Sequence, residues 1–504
     1  MTIGIDLGTT NSCAAAVIDG KATVIPNDEN GRTTPSVISF LPDHDPEAGE
    51  YAKHRRVCNA TRTVWSVKRF MGRSWSACQA RHEFDRLPYR TTRGADDSIL
   101  ILAGGRAVSV PEASSLVLDK LRRDCSARLG QQVTQAVITV PAYFTDVQRE
   151  ATRKAGELAG LDVRRIISEP TAAALAYGAQ TGKDGVCAVY DLGGGTFDIS
   201  ILRIHDGEAS VISTAGDTML GGDDIDRRVS DWIIREGKAK TGYNLQAAFD
   251  AGENGSAYTM QAVRDAAEKA KIALSSAESA PIEVQNYSPD GATLSTTLSR
   301  AMLEHITSYV TDKTIECCRK ALHDAGNAKP DHVVLVGGST KSPFVRRQVE
   351  DFFGVRPDTS VNPDEAVALG AAILAASLDG KDTGIRLRDV APLDLGILSR
   401  QKTKETHGFK TAIATIIHAN TPIPASWKRT FTTSCDNQQA LTLTIMQGTS
   451  RLGRVSVPVD PHARAGQPRV QVTFSIDADG ILSVSAADLG TGRTVNAVMQ
   501  KNVN

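Results

Sequence analysis

The stretch IGIDLGTTN at residues 3–11 has a counterpart later in the chain, AVYDLGGGTFD at residues 188–198. Each is an apolar strand that runs into a Gly/Thr turn opened by an aspartate, Asp6 or Asp191, and another apolar strand follows. This pattern predicts a β-hairpin in both places. Glycines let backbone N–H groups approach an anion, and Thr hydroxyls add donors. Two such hairpins facing each other would hold a nucleotide triphosphate, with the aspartates binding Mg²⁺ through water.

Length, charge and cysteine pattern limit the class of protein. The chain of 504 residues is too long for one core, so about two to four domains are expected. A formal net charge of −1 gives no electrostatic reason to expect nucleic acid or a membrane as a partner. The first strand leaves no room for a signal peptide, and no apolar run approaches the length of a membrane span. Eight cysteines without a CxxC pair are typical of reduced thiols, which predicts a cytoplasmic location.

Two further patterns recur in the same order in both halves of the chain. A strand that ends in a turn and is followed by a helix is predicted over 136–159 and again over 332–353. A helix with proline in its first turn opens at Glu169, and a second, with Asn362 as its N-cap, runs through Ala372. Together with the hairpins, these pairs indicate an internally duplicated α/β unit with a ligand cleft between its halves.

Two charged stretches could lie on the solvated surface, which is the more frequent case, or could belong to a functional site. Lys68 lies in a basic stretch, residues 62–73, where a solvated surface lysine is the more frequent structure. A helix is predicted over 262–276, and a solvated, salt-bridged face is the usual outcome for its polar side. Three residues of this helix share one face at spacings of three and four: Glu268, Lys271 and Ser275.

The pattern of apolar and polar residues changes after Gly380. Residues 385–390 are short, alternating and charged, which predicts a linker or an edge strand. Beyond them, apolar residues alternate with polar ones over 441–445 and 470–476, and the turn at 477–480 leads into another strand. Residues 391–504 are therefore predicted to form an antiparallel β-domain of the sandwich type.

The combination of motifs resembles the seventy-kilodalton heat-shock chaperones from residue 3 to about residue 495. The bacterial DnaK type is the most similar, and VKRFMG at residues 67–72 is similar to its HscC relatives. The motifs that carry the resemblance are GIDLGTTNSCAAAV, VPAYFTDVQREATRKAGELAGL, SEPTAAALAYG, DLGGGTFDISIL, STAGDTMLGGDDID, AAEKAKIALS, VLVGGSTKSPFV and NPDEAVALGAAI. The resemblance implies a two-lobed actin-like α/β ATPase domain at 1–381, a linker at 382–390 and a β-sandwich peptide-binding domain at 391–504.

The resemblance also implies a site for ATP or ADP with Mg²⁺, and K⁺ as a further cation. The catalytic residues implied are Lys68, Glu169, Asp191, Thr196 and Asp198. Asp6 and Asp191 would hold the hydrated Mg²⁺. The residues implied around the nucleotide are Asp6, Gly8, Thr9, Thr10, Asn11, Gly193, Gly194, Gly195, Thr196, Gly222, Glu268, Lys271, Ser275, Gly337, Gly338, Ser339, Lys341 and Asp364. The chemistry implied is in-line phosphoryl transfer to water, in which positioning and charge neutralisation supply most of the acceleration.

In the β-domain the resemblance implies a channel for extended hydrophobic segments of unfolded proteins. Its residues would be Leu395, Ile397, Ser399, Phe431, Ser434, Leu441, Leu443 and Ile476, with the two serines arching over the peptide. A place in the sandwich core is the alternative for the apolar ones. Residues implied to couple the domains are Pro141, Arg149, Leu387 and Asp389. A J-domain co-chaperone and a nucleotide exchange factor are the implied partners, together with a role in the stress response.

Three departures from the family pattern carry their own expectations. Arg386 and Arg388 replace leucines of the usual linker, from which weaker coupling between the domains is predicted. Lys341 stands where an arginine stacks on adenine, so somewhat weaker nucleotide binding is predicted. The family's helical lid is missing, and bound peptide is expected to leave faster.

Two other classes of function are open alternatives. A small-molecule kinase of the actin-like superfamily would give a phosphorylated product. A nucleotide-binding scaffold would bind without useful hydrolysis, against which the presence of Lys68, Glu169, Asp191 and Thr196 argues. A Walker-type P-loop enzyme is excluded because no GxxxxGK[ST] occurs.

Overall fold

The computed structural model of the protein describes residues 1–42, 44–381, 383–384, 386–402 and 409–499. Within these residues, none of the helices combines the length and the apolar character that crossing a membrane requires. Ile385, the first residue of the predicted linker strand, lies outside the described residues, as do residues 403–408 of the β-domain.

The described residues of the stretch 1–181 form strands β1–β12 and helices α1–α5. The strands are β1 Thr2–Asp6, β2 Asn11–Ile18, β3 Lys21–Val24, β4 Thr34–Pro35, β5 Val37–Ser39, β6 Glu47–Ala48, β7 Thr63–Trp65, β8 Arg90–Arg93, β9 Ile99–Ala103, β10 Arg106–Ser109, β11 Gln135–Val140 and β12 Asp162–Ser168. The helices are α1 Glu50–Arg55, α2 Trp75–Ala80, α3 Val110–Leu129, α4 Asp146–Leu158 and α5 Glu169–Thr181. Short 3₁₀ turns occur at Ala60–Arg62, Val67–Phe70 and Ala95–Asp97.

Residues 185–378 repeat this plan with a different set of surrounding helices. The strands are β13 Gly185–Leu192, β14 Phe197–His205, β15 Glu208–Asp217, β16 Ser279–Val284, β17 Leu294–Ser299 and β18 His332–Val336. The helices are α6 Gly222–Thr241, α7 Leu245–Asp250, α8 Ser256–Ala273, α9 Arg300–Asp324, α10 Pro343–Phe353 and α11 Ala366–Leu378, with a 3₁₀ turn at Gly338–Lys341.

The predicted duplication is visible in the topology of the two main sheets. In the first, β1 is antiparallel to β2 and parallel to β11, and β3 follows β2. In the second, β13 is antiparallel to β14 and parallel to β18, and β15 follows β14. Both Gly-rich stretches therefore form the hairpins that their sequences predict.

Two helices pack against each other between these sheets. Gly370 of α11 approaches Ala172 of α5 so closely that a Cβ on Gly370 would lie 1.7 Å from the Ala172 carbonyl oxygen. Helix α11 also lies against β1, where a Cβ on Gly4 would be 2.1 Å from the Ala372 amide nitrogen. Only glycine fits either position, because this overlap is with backbone and not with a flexible side chain.

The predicted helix boundaries hold at Glu169 but not at Asn362. Pro170 lies in the first turn of α5, as predicted, where its missing N–H costs no hydrogen bond. Helix α11, however, begins at Ala366, so the prediction of Asn362 as its N-cap is wrong. The Asn362 side chain instead accepts a hydrogen bond from the Asp364 N–H at 3.1 Å, which stabilises a turn before the helix.

The remaining strands form the linker and the β-domain. They are β19 Arg386–Val390, β20 Leu395–Lys402, β21 Phe409–Ile417, β22 Pro422–Ile423, β23 Ala425–Phe431, β24 Ala440–Gln447, β25 Ser450–Pro458, β26 Val470–Ile476, β27 Leu482–Asp488, β28 Thr494–Asn496 and β29 Val498–Met499. Two sheets, in the orders β21-β20-β24-β25-β29 and β23-β26-β27-β28, enclose a common apolar core. The predicted alternation holds, because Val470, Val472, Phe474 and Ile476 are all buried.

The linker strand β19 is paired on both of its sides, so it is not an edge strand. It is parallel to β15 along Arg386–Arg388 and antiparallel to β22 at Asp389 and Val390. The sheet that begins with β18 and β13 therefore continues through the linker into a strand of the β-domain.

Candidate functional site

A cavity of about 460 Å³ lies between the two hairpin turns and helix α8. The residues predicted to surround a nucleotide or its attacking water converge on it from both halves of the chain. Those that line it are Asp6, Gly8, Thr9, Thr10, Asn11, Lys68, Glu169, Asp191, Gly193, Gly194, Thr196, Gly222, Glu268, Lys271, Ser275, Gly337, Gly338, Ser339, Lys341 and Asp364. Gly195 and Asp198 lie in the second hairpin outside this lining.

The two hairpin turns are in direct contact. A Cβ on Gly194 would lie 1.9 Å from the Thr10 hydroxyl oxygen, and one on Gly195 would lie 2.7 Å from Thr9 Cγ2. The carbonyl of Gly193 accepts hydrogen bonds from the Gly222 N–H at 2.9 Å and the Ser339 hydroxyl at 3.1 Å. The glycines thus allow two Thr-bearing turns to come together at one end of the cavity.

Lys68 is buried in this cavity, which excludes the solvated position that its sequence context favours. Its side chain is 5 % exposed, and its ammonium donates a short hydrogen bond to the Glu169 carboxylate. The preceding Ser66 has a positive φ of 53°, a conformation that turns the chain into the 3₁₀ segment carrying Lys68. The Ser66 hydroxyl donates to Asp223 at 2.6 Å and so anchors this turn to the opposite half of the chain.

Three further carboxylates are buried beside this ion pair. Burial and the charge of Glu169 raise the pKa of Asp6 to about 7 and that of Asp198 to about 8. The same causes raise the pKa of Asp191 well above its ordinary value. The Tyr143 N–H donates to Asp198 at 3.1 Å, which holds this carboxylate in place.

This concentration of carboxylates fits a hard divalent cation. The Lys68 ammonium lies near all four of these carboxylates, and Arg149 adds a positive charge near Asp198. Four carboxylates against two cations leave the cluster with excess negative charge when ionised. Carboxylate oxygens are the donors that Mg²⁺ prefers, and a cation there would favour their ionised forms. The residues present therefore fit Mg²⁺ at the Asp6 and Asp191 end of the cavity.

Three of the side chains that line the cavity and are predicted to surround the nucleotide already have charged partners. Lys271 contacts Asp226 at 2.8 Å, and Lys341 forms a short ion pair with Asp364. Glu268 accepts a hydrogen bond of 2.5 Å from Arg56 Nη2. Burial opposes the ionised form of Glu268, but the charges of Arg56 and Lys53 lower its pKa to about 2.

A second set of contacts joins residues 1–181 to the β-domain around Arg149. This side chain is buried, and its guanidinium donates to the carbonyls of Asp479 at 3.2 Å and Ala142 at 3.3 Å. Asp479 also forms ion pairs with Arg153 and, at 2.8 Å, with Arg165. The turn at 477–480, predicted only as a strand connection, therefore lies against α4 and β12.

The other predicted coupling residues lie near this contact. Asp389 of the linker accepts a hydrogen bond from the Ser168 hydroxyl at 3.3 Å. Burial raises the pKa of Asp389, and the nearby charge of Arg149 opposes this rise. Leu387 is half-buried against the core between the two main sheets. Pro141 ends strand β11 just before the carbonyl at Ala142 that Arg149 binds.

Sequence reasoning missed several residues of these sites, among them Asp146, Gln447 and Arg56. Asp146 accepts a hydrogen bond from the Leu482 N–H at 2.5 Å, and its own N–H donates to the Gln447 side chain at 3.0 Å. Arg56 bridges to Glu268, as described above. These contacts span more than two hundred residues of sequence, so no local spacing signals them.

The residues predicted to form a peptide channel divide by burial. The aliphatic ones lie within the sandwich core: Leu395, Ile397, Leu441, Leu443 and Ile476. Phe431 is half-buried at the end of β23, Ser434 is exposed, and the Ser399 hydroxyl donates weakly to the Ala412 carbonyl at 3.5 Å. Residues 403–408 lie outside the described residues.

Comparison with known protein families identifies the family of this chain. Residues 2–504 match the family model described as Hsp70 protein. Because the match spans almost the whole sequence, the chain belongs to the Hsp70 family, as its motifs predict. Members of this family are ATP-binding heat-shock chaperones with an actin-like ATPase domain and a β-sandwich. They bind ATP and ADP with Mg²⁺, unfolded peptides and co-chaperones. The DnaK-type and HscC-like affinity, and the missing lid, stay predictions.

Proposed function

We propose that this protein is an ATP-driven chaperone in which nucleotide bound in the cavity controls how the β-domain holds extended hydrophobic segments of unfolded proteins. The observation that carries the proposal is the continuity of the sheet from β13 to β22. Asp191, at the cavity, lies on β13, while β19 and β22 at the other side of this sheet belong to the linker and the β-domain. A change at the nucleotide therefore has a contiguous path to the peptide-binding domain.

In this proposal the reaction is hydrolysis of ATP to ADP and phosphate. The backbone N–H groups of the two Gly/Thr turns bind the phosphates, and Lys68 neutralises charge on the transferred group. Glu169 and Asp198 orient the attacking water by accepting its hydrogen bonds. Mg²⁺ held by Asp6 and Asp191 through water would supply neutralisation of phosphate charge. Positioning in a partly closed cavity supplies the rest.

The contact at Arg149 supports the coupling step. Its guanidinium joins the Asp479 carbonyl of the β-domain to the Ala142 carbonyl next to strand β11. Strand β11 pairs with β1, which ends at Asp6. Movement of the first hairpin upon hydrolysis would therefore be transmitted to the turn at 477–480.

The proposed setting follows from the family. The client is an extended peptide with a central apolar residue, and burial of a Leu or Ile side chain offers about 1.5–3 kcal/mol. A J-domain co-chaperone would stimulate hydrolysis, and an exchange factor would release ADP. We place the protein in the cytoplasm with a role in the stress response.

The proposal is tested by fluorescence anisotropy of a labelled, Leu-rich unstructured peptide with and without saturating Mg-ATP. We expect binding without nucleotide and faster peptide release when ATP is added. The Lys68→Ala variant should still release peptide with ATP but should accumulate little ADP. Peptide binding that is indifferent to ATP would contradict the coupling, and a phosphorylated small molecule among the products would favour a kinase.

A further inference from the structure

The β-domain is cationic, although the chain as a whole is close to neutral. Residues 391–504 contain twelve Lys and Arg against seven Asp and Glu, so the rest of the chain carries the compensating excess of acid. A domain with one sign of charge favours partners of the opposite sign. What matters for binding is whether these cations are already neutralised within the protein.

Among the Lys and Arg residues of the β-domain whose side chains the structure describes, none forms an ion pair with a carboxylate; they are Lys428, Arg429, Arg451, Arg454, Arg464, Arg469 and Arg493. The aspartates are engaged elsewhere. Asp394, Asp436 and Asp460 accept hydrogen bonds from backbone N–H groups at 2.7–2.9 Å, and Asp488 accepts them within its own turn. Asp479 pairs with arginines of the ATPase half. These seven cations are therefore available to a ligand.

Two of these cations, Lys428 and Arg429, lie on β23 together with an uncovered tryptophan. Strand β23 pairs with β26 along its whole length, and among the described strands it has no second neighbour in its sheet. Trp427 stands opposite Phe474, which is fully buried, so Trp427 lies on the inner face of the sheet. It is nevertheless 54 % exposed, because the sandwich does not cover this part of β23.

Arg429 shares this inner face, while Lys428 points to the other side. Arg429 stands opposite the buried Val472, and its Nη1 donates to the Thr415 carbonyl of β21 at 2.9 Å. The other N–H groups of the Arg429 guanidinium have no partner in the described chain, and neither has the exposed Lys428. An open strand edge, an aromatic ring and two unpaired cations thus occupy three consecutive residues.

We propose that the open edge of β23 binds the client segment beside its central apolar residue and selects segments that carry Asp or Glu there. This inference rests on the proposed peptide-binding function and names its substrate class. Backbone groups of an edge strand can pair with an extended peptide, an exposed ring gives apolar contact, and unpaired cations select carboxylates.

The spacing along β23 predicts where the acidic residues belong. Phe431, predicted to line the channel, stands opposite Val470 on the same inner face as Arg429 and Trp427. A strand rises about 3.3 Å per residue, so Arg429 lies about 7 Å and Trp427 about 13 Å from Phe431 along the strand. The carboxylate should therefore stand two to four residues from the central apolar side chain of the client.

The test compares three labelled peptides with one Leu-rich centre and flanks of Glu, Gln or Lys at these positions, by fluorescence anisotropy without nucleotide. We expect the Glu-flanked peptide to bind at least tenfold tighter than the Lys-flanked one, with a difference that shrinks as salt is added. The double variant Lys428→Glu/Arg429→Glu should reverse the order. The matched control, Arg451→Glu/Arg454→Glu, makes the same charge change at exposed positions of β25. It should leave the order of the three peptide affinities as in the parent protein.

Intrinsic fluorescence locates the bound segment. Of the four tryptophans, Trp427 is the most exposed, so acrylamide quenches mainly its emission, and the Glu-flanked peptide should protect it. Trp427→Phe should remove this protection. Equal affinity for all three flanks would overturn this inference while leaving the proposed function in place. Failure of every peptide to bind would overturn both, and an equal response of the control pair would overturn the assignment to β23.

Discussion

Arg56 joins residues 1–181 to residues 185–378 by contacting Glu268 on the lining of the cavity, with 2.5 Å between Nη2 and Oε2. Its Nε also lies 2.7 Å from the Asp265 carboxylate on the same helix. Arg56 follows α1 in the first half of the chain, whereas Glu268 and Asp265 belong to α8 in the second. All three side chains are largely buried, so solvent screens this ion pair weakly. The Arg56 ion pair therefore holds the two parts of the chain together beside the cavity.

We predict that Arg56→Ala accelerates release of bound ADP by about tenfold or more. Removing one partner of a buried ion pair is destabilising by about 3–5 kcal/mol when the other charge is left uncompensated. Lys53, 3.5 Å from the Glu268 carboxylate, would offset part of this loss. Part of that loss would appear as easier opening of the two halves. Stopped-flow release of a fluorescent ADP analogue measures the effect.

The neighbouring Arg55 provides the control for this variant. It stacks on Tyr51, with its guanidinium carbon 4.0 Å from the ring centroid, and it has no ion pair within the described residues. Arg55→Ala should leave the release rate within about twofold of the parent, since stacking at an exposed ring contributes only about 0.5–1 kcal/mol. An unchanged release rate in Arg56→Ala would show that the Arg56 ion pair does not limit the separation of the two parts of the chain around ADP.

Lys68 should matter for hydrolysis more than for nucleotide binding. We predict that Lys68→Ala lowers the single-turnover hydrolysis rate by about 100-fold, as is common when a charge-stabilising donor is removed. The affinity for ATP should change little, because many backbone donors remain. Lys154→Ala, on the surface of α4, is the control. If Lys68→Ala lowered the affinity for ATP and the hydrolysis rate by the same factor, Lys68 would be a binding residue and not a catalytic one.

How much of this architecture the sequence reveals depends on the range of the interaction. Both hairpins, both strand–helix units and the alternating strands of the β-domain follow from local periodicity, because apolar spacing of neighbouring residues determines them. The contacts of Arg56 with Glu268 and of Asp146 with Leu482 have no local signature, because any surface carboxylate could serve as partner. Asn362 shows a further limit, since a capping residue before proline stabilises a turn equally well.

Lys341 gives a prediction about nucleotide affinity. It lines the cavity and is paired with Asp364, a partner that an arginine could keep. We expect Lys341→Arg to tighten ADP binding about threefold, because a planar guanidinium can stack on adenine whereas an ammonium cannot. Isothermal titration calorimetry measures the difference, with Lys341→Ala as the variant that lacks both charge and stacking. Equal affinity for the parent and the arginine variant would contradict the expected role of this position.

We expect replacement of the linker arginines to have a small effect on ATP-driven peptide release. Arg388 pairs with Glu208 at 2.8 Å but is 71 % exposed, and an exposed ion pair of this kind contributes about 0.2–1 kcal/mol. We therefore expect Arg386→Leu/Arg388→Leu to increase ATP-driven peptide release by no more than about fivefold. Glu208→Gln, which removes only the ion pair, separates that contribution from the added apolar surface. Release that is unchanged in the double variant would contradict the hypothesis of weak coupling.

The contact between the domains should also depend on pH through Asp146. Burial raises the pKa of this carboxyl to about 7 from an ordinary value of 3.8, and the Leu482 N–H opposes the rise. When the β-domain separates, the side chain regains water and its pKa falls, so docking takes up a proton. Stabilisation of the docked state by this group is thus complete below the ordinary pKa and is lost as the pH rises through about 7.

We predict that the docked fraction of the parent decreases from pH 6 to pH 8 and that Asp146→Asn weakens this dependence. Asparagine keeps an oxygen that can accept from the Leu482 N–H but has no charge to lose. Asp389 and Glu150, whose pKa values burial also raises, would account for the dependence that remains. Energy transfer between dyes on the exposed Cys58 and Cys435 measures docking in both proteins. The same pH profile in the variant would show that proton uptake on docking occurs at another group.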